Sequence, residues 1–306
     1  MPLPLELWPR IKPLEMTMGF ASAQRIAAPA AFSFIFGAIL GIDAWSAALA
    51  GVASSSPWVA STSSKARLVS GTVDVDGAPM LLAGVQLRMN PGWKTYWKNP
   101  GDSGVPPTFD WTGSKNLKHA ELLYPAPHRF ADANGTAIGY DDEVVFPVKL
   151  TPEREGEPIE LKLAFAYGLC KDLCVPNDVA LTLALPPDLG YGDAALIESF
   201  LARVPKAAKE GTLPQVSCVE AKLDGNPFEL LVDVVFPKGA TRTDLFVDAG
   251  DIFIPASEAL GPPADGKQRF AITFGTREEA AAIKGKTLAL TLVSEQGSTE
   301  TMWKAD

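Results

Sequence analysis

Ile159-Glu-Leu-Lys-Leu-Ala-Phe-Ala-Tyr167 and Val179-Ala-Leu-Thr-Leu-Ala-Leu185 alternate large apolar residues with polar or small ones. Period-two alternation is the pattern of a strand with one face on a core. The two runs have the length of paired strands, and Gly168–Asp178 is read as the loop between them, carrying Cys170 and Cys174. Upstream, Leu81, Ala83, Val85, Leu87 and Met89 share one face while Gln86 and Arg88 take the other. Glu143–Leu150 is a further strand, whose Pro147 suggests an edge position or a bulge. Beyond residue 187 the period changes. Asp193 is placed to cap a helix with Leu196, Ile197, Phe200, Leu201 and Val204 on one face, ending before Pro205. Strands then resume at 216–223, 228–236, 244–248, 269–274 and 287–293. Thr276 and Glu279 have capping-box spacing for a short helix. The expected class is all-β: a β-sandwich at 66–187, a helical connector at 188–211 and a second β-sandwich-like domain at 212–306.

Composition narrows the function. Of 306 residues, 47% are hydrophobic and 21% charged, values of an ordinary globular chain, which excludes a disordered chain or a polytopic membrane protein. The net charge of −9, with no basic cluster, excludes a nucleic-acid partner. Residues 1–50 read as an address. No charge occurs from Ile26 to Ile42, Arg25 sits just ahead, and Ala48-Leu-Ala50 offers small residues for cleavage before Gly51. That run of about 17 residues is short for a membrane span. Export through a signal peptide is therefore expected, with an N-terminal anchor as the alternative and Met18 as a second candidate start. Serine-rich 51–65 reads as a flexible linker.

Cys170-Lys-Asp-Leu-Cys174 cannot be straight and disulfide-bonded at once. Four extended residues separate Cα atoms by roughly 13 Å, and a bridge needs about 4.4–6.8 Å. The segment must curl if the bridge forms. So small a ring removes little chain entropy on unfolding, so a bridge there stabilises weakly and suits exchange. A passive surface disulfide is the competing account. Lys171 favours a neighbouring thiolate and Asp172 opposes it. Cys218 lies on a second-domain strand and is expected to be a buried, inert thiol. A copper site from Cys170, Cys174 and His128 suits thiolate chemistry. With two histidines and no Met-rich motif, however, neither a metal nor another cofactor is expected. Trp93, Tyr96 and Trp97 are read as packing at the end of the sandwich.

Tyr167-Gly-Leu-Cys-Lys-Asp-Leu-Cys-Val-Pro176 resembles the cysteine hairpin of the N-terminal periplasmic domain of DsbD-type thiol:disulfide interchange proteins, and more closely the ScsB branch linked with copper tolerance. The resemblance extends through Asn90–Gly104, Pro106–Trp111, Tyr124–Phe130 and Ile138–Val145. It implies an immunoglobulin-like sandwich and a protein-disulfide reductase type of activity, in which Cys170 and Cys174 relay electrons from a membrane-embedded or thioredoxin-like redox protein to periplasmic disulfide clients. It also implies a cap over the pair, here His128–Tyr140, with Phe130 as the shielding aromatic and Tyr167 beside the sulfurs. His128 and Arg129 stand where better-known members have acidic residues, and the cysteine spacing is tighter. The chain reaches Asp306 without the membrane and thioredoxin-like domains of full-length members, so the redox partner is expected in trans. A non-catalytic adaptor or copper-handling module is the alternative.

Overall fold

The computed structural model describes residues 53–75, 77–102, 104–132, 135–187 and 190–305. The apolar run 26–42 and the cleavage position before Gly51 lie outside them. Eleven strands come first: β1 (Val59–Ala60), β2 (Ser64–Val75), β3 (Ala78–Met89), β4 (Lys94–Gly101), β5 (Thr108–Asp110), β6 (Leu117–Leu122), β7 (His128–Asp132), β8 (Gly135–Asp141), β9 (Glu143–Pro152), β10 (Ile159–Cys170) and β11 (Cys174–Leu185). They form one sheet in the order β1-β2-β3-β9-β6 and another in the order β11-β10-β4-β8-β7, with β5 also on β10. After α1 (Ala194–Leu201) come β12 (Lys206–Ala207), β13 (Gln215–Lys222), β14 (Phe228–Val235), β15 (Thr243–Asp248), β16 (Glu258–Ala259), β17 (Lys267–Phe274), α2 (Arg277–Ala282), β18 (Thr287–Ser294) and β19 (Gly297–Lys304). These strands make the sheets β12-β19-β18-β15 and β13-β14-β17-β16. The architecture is all-β and immunoglobulin-like, two facing sheets enclosing each core.

Alternation places the first core. Val179, Leu181, Leu183 and Leu185 are buried while Ala180, Thr182 and Ala184 are exposed. They meet Leu68, Val85, Leu87 and Phe146 from the opposite sheet. Phe109, Phe165 and Tyr167 stack in sequence, with ring centroids 4.8 and 4.5 Å apart. The second core gathers Leu230, Val232, Phe270, Ile272, Leu288 and Leu290. Phe246 of β15 crosses over: it is buried with the first core and meets Trp97 edge-on at 5.9 Å.

Several expectations need correction. Residues 53–65 are no free tether. The backbone N–H of Ser56 donates to Leu68 O at 2.9 Å, that of Ser70 donates to Ser54 O at 2.7 Å, and β1 pairs with β2. The serines extend a sheet edge because their backbone and hydroxyl groups complete the β2 ladder. Pro147 is not on an edge strand, since β9 runs between β3 and β6. It is tolerated because β6 ends at Leu122, opposite Val148. The 188–211 connector does not stand between the cores: α1 buries Ile197 and Phe200 against the first. Nor does the Asp193 side chain cap it. That carboxylate instead accepts from Ser54 Oγ at 2.7 Å. In α2, by contrast, Thr276 does cap the helix, accepting from Glu279 N at 3.1 Å.

Gly71 is the seat of α1. A Cβ there would lie 2.4 Å from Tyr191 O and 2.6 Å from Ala194 N, both backbone atoms. Gly71→Ala is expected to cost about 2 kcal/mol by overpacking, lowering the melting temperature by roughly 4–8 °C. A calorimetric scan showing no change would mean that the helix start yields freely.

Candidate redox site

The cysteines are placed by strand register. β10 and β11 pair residue for residue from Ile159↔Leu185 to Cys170↔Cys174. The expected loop 168–178 is therefore only Lys171-Asp172-Leu173, and both cysteines are the last paired residues of their strands. Directly opposed residues in an antiparallel pair come within about 4.5 Å, close enough for a bridge. Cys170 and Cys174 are disulfide-bonded, with Cα atoms 4.1 Å apart. Leu173, at the tip, is 72% exposed. Pro176, opposite Gly168, is compatible with a ladder because β11 is the sheet edge.

The two sulfurs face different surroundings. Cys174 is exposed and Cys170 half-buried. Cys174 lines a groove of about 390 Å³ with Tyr96, Val105, Tyr167, Val175 and Pro176 among its walls. Cys170 instead lines a recess of about 10 Å³ with Lys94, Tyr96 and Phe130. That recess holds at most about one water.

The residues singled out in the cap divide by strand parity. His128, Arg129 and Phe130 lie on β7, an edge strand paired with β8. His128 and Phe130 share a face. Their rings meet edge-on at 5.7 Å, Lys94 Nζ sits 4.6 Å from the Phe130 centroid, and His128 Nε2 lies 3.3 Å from Asp141 Oδ1. Arg129 takes the opposite face and reaches Asp244. Tyr140, on β8, is wholly buried and donates to Pro125 O at 2.8 Å. Burial pushes its phenol well above the ordinary range, so it serves as a neutral donor within the core. Tyr167 is buried, and its hydroxyl meets Ser64 Oγ at 2.9 Å.

A phenol does sit at the sulfurs, but it belongs to Tyr96, read from sequence as packing. Its hydroxyl lies 3.2 Å from Cys174 Sγ. The ring is held between two glycines: a Cβ at Gly104 would lie 2.5 Å from Tyr96 Cε1, and one at Gly168 would lie 3.0 Å from Cε2. The Thr95 hydroxyl donates to Gly168 O at 2.9 Å and fixes β4 against β10. Nothing in the spacing of Trp93, Tyr96 and Trp97 announces this role, because it depends on β4 meeting β10 at Lys94↔Cys170.

Cys218 is exposed on β13, an outer strand of its sheet, where the ladder shifts between Val216 and Cys218; this corrects the expected burial. Among the described residues, no group of three or more His, Cys, Asp or Glu is arranged to hold a metal. No helix among them is long and apolar enough to cross a membrane.

Comparison with known proteins agrees with this geometry. Residues 76–186 match the family model "Thiol:disulfide interchange protein DsbD, N-terminal". The fold is similar to the crystal structure of the N-terminal periplasmic domain of ScsB from Proteus mirabilis. The TM-score is 0.63 at 20% identity, over 83% of this chain and 98% of that one. Among curated proteins no match is found. Residues 76–186 thus match a DsbD-type N-terminal domain, and they carry a disulfide-bonded cysteine pair at the tip of a hairpin.

Proposed function

We propose that this chain is an exported thiol–disulfide exchange module in which Cys174 is the sulfur attacked and Cys170 the sulfur expelled. The observation that carries this reading is the asymmetry of the pair. Cys174 opens on a 390 Å³ groove, while Phe130 and Lys94 close a recess of about 10 Å³ around Cys170. In reduction, a thiolate of a dithiol partner attacks Cys174 Sγ, the Cys170–Cys174 bond breaks, and Cys170 leaves as a thiolate. The partner's second thiol then attacks the partner's own sulfur in the mixed disulfide, forming its disulfide and releasing Cys174. Toward a client, the Cys174 thiolate opens a client disulfide, and Cys170 then attacks Cys174 to restore the starting bond and free the client dithiol. Each half-cycle moves two electrons and two protons.

A thioredoxin-like or membrane-embedded dithiol protein fits the donor role, and disulfide-bearing periplasmic proteins fit the client role. Export is supported by the apolar run 26–42 and by the periplasmic origin of the matched ScsB domain. The two cores support reading the chain as two sandwich domains, with α1 counted in the first.

The test is redox equilibration of the purified protein against glutathione and thioredoxin buffers, counting alkylated thiols. A midpoint between about −180 and −270 mV is expected of an exchange-active pair. One below about −300 mV would mark a structural disulfide and overturn the proposal.

A further inference from the structure

Strand parity makes β7 a lever with two loaded faces. One face carries Phe130 to the recess around Cys170. The other carries Arg129 out of the cysteine-bearing sandwich altogether. Its Nε donates to Asp244 Oδ2 at 3.1 Å, and its Nη2 donates to Asp244 Oδ1 at 2.7 Å and to Ser257 Oγ at 3.1 Å. The guanidinium also lies 5.6 Å from the centroid of Phe246. The receiving groups are themselves fixed: Asp244 Oδ1 accepts from Leu245 N at 2.8 Å, and the Ser257 hydroxyl donates to Leu245 O. A fork-on-fork pair of this kind defines both position and orientation, which a lysine's point charge would not. Among the described residues β7 has no ladder partner on its outer side, so this clamp supplies what a further strand would have supplied.

β4 is anchored in the same way. Its Lys94 and Tyr96 face the sulfurs. Further along the strand, Asn99 Nδ2 donates to Val247 O at 2.7 Å, and Lys98 Nζ lies 3.3 Å from Glu300 and 3.5 Å from Asp248. The second sandwich thus contacts both strands that line the recess around Cys170.

We propose that Arg129, through Asp244 and Ser257, is a positioning residue by which the second sandwich holds Phe130 over Cys170 and so directs incoming thiols to Cys174. The inference rests on the exchange reading above and gives the second sandwich its part in it: a backplate that sets which sulfur reacts. Sulfur choice fixes which cysteine carries the partner in the mixed disulfide, so it decides whether Cys170 is free to resolve it.

The test uses the full chain with one reactive thiol at a time. In a Cys218→Ser background, Cys174→Ser leaves Cys170 and Cys170→Ser leaves Cys174, and each is timed against a small aromatic disulfide. Cys174 is expected to react at least about tenfold faster than Cys170. Arg129→Gln is expected to raise the Cys170 rate about tenfold, equivalent to about 1.4 kcal/mol, while changing the Cys174 rate less than about twofold. In a Phe130→Ala background Arg129→Gln should add nothing, since both act through one shield. An Arg129→Asp, Asp244→Arg swap should restore protection. Equal rates for the two thiols in the unaltered cap would sink the shielded-Cys170 reading itself. A preference that survives Arg129→Gln, or an equal gain at both sulfurs, would sink only the brace.

Discussion

Replacing Cys174 or Cys170 with serine is expected to abolish turnover of disulfide clients, leaving at most one unresolved mixed disulfide per chain, while the fold stands. The chemistry requires both sulfurs, one to carry the mixed disulfide and one to leave and resolve it. The fold does not require the bridge. A ring of about five residues contributes about 2 kcal/mol in the chain-entropy account, and the bond sits at the end of a ladder that already fixes the register. Thermal unfolding should therefore shift by only about 4–8 °C. Exchange would be followed with a glutathione-linked client, and folding by the near-ultraviolet signal of the buried Trp97 and Tyr140. A fall of about 15 °C or more, which corresponds to about 5 kcal/mol, would identify a structural staple, and repeated turnover by either variant would move the reaction elsewhere.

The sequence was informative where burial acts on one strand at a time. Ile159–Tyr167 and Val179–Leu185 announce their pairing because each has a single wet face, and the cysteines between them must be near one another. Thr276 announces its helix for an equally local reason. What stayed hidden was every feature made by two distant segments meeting. Serines 54–56 look like a linker until β2 is seen to offer a free edge. Asp193 looks like a cap, yet Ser54, 139 residues earlier, takes its carboxylate. Pro147 looks like an edge marker, yet what matters is where β6 stops. The candidate site divides along the same line. The cysteine pair and the nearness of Phe130 to it were legible through the resemblance, but Arg129 could not be read as a clamp without β15, nor Tyr96 as a neighbour of sulfur without the register of β4 on β10.

Tyr96→Phe is expected to shift the redox equilibrium and to slow the release of Cys174 by about ten- to a hundredfold, with little effect on stability. The phenol lies 3.2 Å from Cys174 Sγ, and its ring is almost fully buried in the slot between Gly104 and Gly168. Against a disulfide sulfur, a weak acceptor, that hydroxyl gains little. Against a thiolate it donates to a full charge, and hydrogen bonds to charged groups are worth about 1.5–3 kcal/mol where neutral ones give about 0.5–1.5. The difference falls on the reduced form and on every step in which Cys174 departs as an anion. Removing the hydroxyl therefore disfavours reduction, and the midpoint should move to more negative potential by about 30 mV for each 1.4 kcal/mol lost. Phenylalanine keeps the ring and its packing, so the melting temperature should hold within a few degrees. Gly104→Ala supplies the converse: it keeps the hydroxyl but drives a Cβ into Cε1, displacing the phenol from the sulfur, and should move the midpoint in the same direction. If Tyr96→Phe lowers the melting temperature while the midpoint and the release rate stay put, Tyr96 is a core residue whose hydroxyl merely lies near the pair. A midpoint that moves with an unchanged melting temperature can come only from a group that distinguishes thiolate from disulfide.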